Sequence, residues 1–82
     1  MNNNERYALE IGKVAKKLAS NYHFTDGAVE NLSQHPESLR TMLRCKDLEQ
    51  LELPCLPIGY RVTTSVSDFF KIGYYGAYNL NN

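Results

Sequence analysis

The side chains best equipped for chemistry in this chain are His23, His35, Cys45 and Cys55, which together form one set of four zinc-ligand types. Structural zinc sites bring their ligands in closely spaced pairs on a knuckle or a helix. Here successive members stand ten or more positions apart, so the spacing argues against a metal centre. A nucleophile with a general base is the second option, because both histidines have hydroxyl side chains nearby in sequence. The chain has no glycine-rich elbow and no oxyanion-hole segment, and it offers little length to wall off a substrate pocket. Asp26 with Glu30 and Glu49 with Glu52 are spaced like acid/base carboxylates. They sit where helix first turns and wet faces place charge, without the apolar surroundings that separate two pKa values. None of the five glycines falls in a phosphate-loop pattern. The expectation is a protein that is not an enzyme, with no catalytic residue, no cofactor and no metal.

Composition points the same way. The 82 residues suffice for one domain, 1–82, with a single core, and 43% hydrophobic content is enough to fill it. Nine basic and nine acidic side chains cancel, so no global field draws the chain to nucleic acid or to an anionic membrane. No apolar run approaches the roughly 20 residues that span a bilayer, and the N-terminus lacks the order of a secretory signal. The sequence therefore reads as cytoplasmic, with Cys45 and Cys55 as free thiols that fill the core. Met1 to Asn4 and Asn79 to Asn82 are polar, carry no side-chain charge, and are expected to fray.

The elements that must position any site follow from periodicity. Tyr7, Ile11, Val14 and Leu18 mark one face of a helix over about 4–20, with Arg6, Glu10, Lys13 and Lys17 on its wet side. Leu9 falls outside the apolar face, among Glu5, Lys13 and Lys16, as a candidate contact for a second chain. Thr25 is suited to cap a helix over 26–34, with Phe24 and Val29 as a hydrophobic staple. Pro36 is suited to the first turn of a third helix over 36–45, and Asp47 to the start of a short one over 47–53 that Pro54 ends. Beyond Pro54-Cys55-Leu56-Pro57 the period changes. Ile58, Tyr60, Val62, Thr64 and Val66 alternate with polar or small residues, and so do Phe70, Ile72 and Tyr74. That pattern predicts a β-hairpin with strands 58–66 and 69–75, and hence an α+β fold. A helical turn at Phe69-Phe70-Lys71-Ile72 after a Ser67 or Asp68 cap is the competing reading of the second strand.

Two binding roles suit this arrangement. The first is a small non-enzymatic protein-binding regulator or inhibitor that occludes or stabilises a larger partner protein, with Leu9, Phe69, Tyr75 and Tyr78 as contacts. Tyrosine and phenylalanine bury large areas at low rotamer cost, which suits an interface, and a homodimer is compatible with the same residues. In size and plainness the chain is similar to the accessory proteins of phages and mobile elements, an analogy of class alone. The alternative is a winged helix-turn-helix regulator, whose element order is three helices and then a hairpin. DNA would then meet Arg40, Thr41 and Arg44 on the third helix, with Arg61 and Lys71 on the hairpin.

Overall fold

The computed structural model describes residues 1–39 and 54–76. Helix α1 covers Asn3–Tyr22 and begins at a reciprocal cap. Asn2 Oδ1 accepts the Glu5 N–H at 2.8 Å, while Glu5 Oε1 accepts the Asn2 N–H at 2.9 Å. Two backbone donors that a helix start would leave unpaired are thereby satisfied. Tyr7, Ile11, Val14 and Leu18 are all buried, as their spacing requires of a core-facing stripe. The helix closes at His23, whose backbone is left-handed at φ 52° and whose N–H donates to the Ala19 carbonyl at 3.1 Å.

Helix α2 covers Asp26–Gln34, capped by Thr25 Oγ1, which accepts the Ala28 N–H at 3.1 Å. Asp26 lies in its first turn, where the helix dipole favours a negative charge. Val29 and Leu32 are buried beneath it, and Phe24 packs on the same core cluster. After His35 the chain turns at Pro36, which is buried, and Leu39 enters the core completely.

The expected hairpin is absent. Among the described residues there is no strand, and Thr64–Tyr75 forms a third helix, α3. The architecture is therefore helical where the sequence pattern predicts α+β. Thr63 Oγ1 caps α3 by accepting the Val66 N–H at 3.3 Å, and Gly76 ends it in a left-handed conformation at φ 66°. Val66, Phe70 and Tyr74 are buried at four-residue spacing, which is a helical face. Residues 54–63 run irregularly ahead of α3. Tyr60 and Val62 pack inward there and Arg61 faces water, so alternation exists without a pairing strand.

α1 and α3 run parallel. Ser65 Oγ donates to Glu5 Oε2 at 2.8 Å near their starts, and Lys16 Nζ lies 5.6 Å from the Tyr74 ring centroid further along. α2 runs antiparallel against α3 through a polar ladder. Tyr75 Oη donates to Asp26 Oδ1 at 3.5 Å, Lys71 Nζ pairs with Glu30 Oε1 at 2.8 Å, and Ser67 Oγ donates to Ser33 Oγ at 3.1 Å. Ser33 and Ser67 are both buried, and Ser33 Oγ in turn donates to the Glu30 carbonyl at 2.6 Å, so neither hydroxyl is left unpaired. Among the described residues no helix is long and apolar enough to cross a membrane.

Candidate protein-binding surface

The fold redistributes the residues expected to form an interface. Leu9 is 8% exposed, not a surface residue, and its carbonyl lies against the α3 backbone at Gly73. It is covered by its own chain. Phe69 is half-buried and packs on the core, while Tyr75 at the end of α3 is 47% exposed. These three do not form one patch, and Tyr78 lies outside the described residues. Of the residues expected to touch DNA, Arg40, Thr41 and Arg44 also lie outside. Arg61 is exposed on the irregular segment, and Lys71 is held in its ion pair with Glu30 on a helix rather than a hairpin wing.

The surface that the structure does build is on the segment Pro54–Gly59. Ile58, which alternation places on the core side of a strand, is fully solvent-exposed at 105%, and Leu56 is 52% exposed. The cause is a β-turn, in which the Tyr60 N–H donates to the Pro57 carbonyl at 3.2 Å and Gly59 takes φ 72°. A type II turn reserves that position for glycine and places the preceding residue at the corner, pointing outward. The dipeptide Ile58-Gly59 following a proline was the available signal, and the strand pattern across it hides the turn. Pro54 fixes φ two residues ahead of Leu56, and Pro57 fixes it between Leu56 and Ile58.

The segment is anchored behind the turn. The Tyr60 ring meets the Tyr7 ring edge-on, with centroids 5.0 Å apart and planes at 70°. This geometry favours an aromatic pair beyond the area it buries. Burial pushes the Tyr60 phenol up to about 12, with smaller contributions from Tyr7 and the Glu37 carboxylate. Its hydroxyl is buried with no hydrogen-bond partner among the described residues.

Between this segment and the start of α1 lies an open groove of about 760 Å³, with Arg6, Tyr7 and Glu10 on the helix wall and Pro54, Pro57 and Ile58 opposite. The two charged residues of the wall are one helical turn apart and of opposite sign. Glu10 makes a long, solvated contact with Lys13 at 3.8 Å, and Arg6 has no ion pair among the described residues. Cys55 also lines the groove as an exposed free thiol, in contrast to the core position expected of it.

Metal-binding geometry is not found among the described residues, where no three His, Cys, Asp or Glu side chains gather. His23 and His35 lie beyond opposite ends of α2, a helix of nine residues that is roughly 13 Å long. Both are exposed. No protein-family model matches the chain, and comparison with the curated proteins and with the solved structures found no match.

Proposed function

We propose that this chain is a non-enzymatic protein-binding regulator that acts by occluding or stabilising a larger protein through the Pro54–Gly59 segment. The observation that carries this reading is the full exposure of Ile58 at the corner of a turn that Pro57 opens, with the half-exposed Leu56 just ahead of it. An apolar side chain in water is unremarkable in a loop, but one held outward by a fixed backbone loses little entropy when a partner covers it. Such pre-organised apolar anchors concentrate interface energy. Tyr75, exposed at the far end of α3, is a second contact of the kind tyrosine favours.

A reducing, cytoplasmic setting belongs to the same proposal, supported by the exposed thiol of Cys55. The winged-helix reading loses the hairpin that defined its wing, and no observation on the described residues favours it.

The experiment is an affinity capture from cell lysate with nuclease present and a wash at about 0.5 M salt, which removes contacts held mainly by phosphate charge. Wild-type chain should retain a stoichiometric protein, and Ile58→Asp with Leu56→Asp should release it while keeping a helical circular-dichroism spectrum. Retention of the same protein by the double variant would exclude this segment as the binding face.

A further inference from the structure

We infer that the first occupant of this face is a second copy of the chain, paired about a two-fold axis so that Ile58 of each copy enters the groove of the other. The inference rests on the Pro54–Gly59 segment being a protein-binding surface. It adds the identity of the partner, from shape and charge together.

Shape comes first. The knob, Ile58, and the groove are on one face, because Ile58 itself forms part of the groove wall. A two-fold interface uses the same patch on both copies, so a protrusion beside a recess supplies both halves of such a contact. Tyr7, Pro54 and Pro57 give the recess an apolar side suited to an isoleucine side chain, and Asn2, Asn3 and Asn4 line the rest of it.

Charge narrows the partner further. Arg6 and Glu10 stand one turn apart on the helix wall, so the groove has both signs and no net charge from this pair. A partner bearing charge of a single sign would meet one attraction and one repulsion. In the two-fold pair, Arg6 of each copy faces Glu10 of the other, whose own contact with Lys13 is long and solvated. This pairing also supplies Arg6 with the counter-charge that it lacks among the described residues.

The test is sedimentation of the purified full chain under reducing conditions, from about 1 µM to about 1 mM, the range in which modest interfaces assemble. The wild type should pass from 9.4 kDa towards twice that mass as concentration rises. Ile58→Asp should weaken the dimer by roughly 30-fold or more, the effect of losing an interface anchor. Because Ile58 is wholly exposed, this variant should keep the wild-type circular-dichroism spectrum. Arg6→Glu should also weaken association, and adding Glu10→Arg to it should restore the dimer, which a merely structural role for either residue does not predict. A wild type that remains monomeric throughout overturns the second-copy assignment. So does a dimer that Ile58→Asp leaves intact, because that dimer uses another face. Capture of a different protein that depends on Ile58 reads out the surface proposal alone, so the two ideas fail separately.

Discussion

Gly12 of α1 and Gly73 of α3 meet at one helix crossing, and each faces the backbone of the other helix. A Cβ on Gly12 would collide with the Phe70 carbonyl oxygen and stand 3.2 Å from the Tyr74 nitrogen. One on Gly73 would collide with the Leu9 carbonyl oxygen and stand 3.1 Å from the Lys13 nitrogen. The contact is backbone against backbone, so no side-chain rotation relieves it. The parallel packing of α1 on α3, and with it the burial of Leu9, requires glycine at both positions.

Gly12→Ala or Gly73→Ala should therefore destabilise the domain even though alanine is the better helix former. Overpacking a fitted interface costs about 1–3 kcal/mol, against a propensity gain of about 1 kcal/mol. The two changes should be less than additive, because helices already forced apart by one methyl accommodate the second more easily. Urea denaturation of the two single variants and the double variant measures this. Stabilisation by either single change would show that the helices do not approach this closely.

His23 is the one described non-glycine residue with positive φ. A left-handed conformation costs a residue with a Cβ about 1–2 kcal/mol relative to its ordinary backbone. Glycine adopts it freely but loses more entropy on folding. His23→Gly should leave a net gain of about 0.5–1 kcal/mol, which for a domain of this size raises Tm by several degrees. Calorimetry reads the shift directly, and a fall in Tm would mean that the imidazole makes a contact worth more than the strain.

The Lys71 to Glu30 contact gives the α2–α3 seam a pH dependence with a definite sign. The Lys71 ammonium, donating to Glu30, holds that carboxyl below its usual range, with Gln34 and Ser33 adding to the effect. Its contribution is full above about pH 4.3, the unperturbed glutamate value, and is lost as pH falls through the lowered folded value. The same contact raises Lys71. That half is full below about pH 10.4 and is lost as pH rises through the raised folded value. Glu30 is 55% exposed and Lys71 34%, so salt should shrink the effect. Stability measured from pH 7 down to pH 3 should decline less steeply in Glu30→Gln than in the wild type. Parallel slopes would show that the pair does not hold the seam.

Much of this fold is legible in the sequence, and the part that is not has a specific cause. In α1 and α2 the apolar spacing of three and four conflicts with any strand pattern, and Thr25 caps α2 at the position its hydroxyl suggests. In 64–75 the core residues Val66, Phe70 and Tyr74 recur every four positions. A multiple of four is also a multiple of two, so those residues satisfy a strand and a helix equally. Ile72 decides between them: it belongs inside on a strand, and the structure leaves it only half-buried. The β-branched run Val62-Thr63-Thr64 reads as strand from propensity, yet Thr63 is a helix cap. The candidate surface was hidden by the same alternation. Ile58 continues the Tyr60 and Val62 series in sequence, but the turn at Gly59 intervenes and directs it outward. Leu9 fails in the opposite sense. Its helical-wheel position predicts solvent, whereas the structure brings its backbone against α3 at Gly73, a contact between segments about 60 residues apart.

Tyr60 tests whether the exposed turn is anchored by its aromatic ring alone. Its hydroxyl is buried without a partner among the described residues, a state that costs about 1–3 kcal/mol of lost solvation. The ring packs on Tyr7 at 5.0 Å. Tyr60→Phe keeps the ring and removes the hydroxyl, so stability at pH 7 should be equal or higher, by up to about 1 kcal/mol. Tyr60→Ala loses the ring and should cost about 3 kcal/mol, as large-to-small core changes do. The hydroxyl also sets an alkaline limit. With the folded phenol raised to about 12, mainly by burial, the folded state keeps its proton longer than the unfolded chain does. Stability should then fall as pH rises above about 10, the ordinary tyrosine value, and level off only beyond the folded value. Tyr60→Phe should remove that component of the alkaline decline, as followed by denaturation at pH 9, 10 and 11. A phenylalanine variant less stable than the wild type at pH 7 would reveal a hydrogen bond that anchors the turn together with the ring.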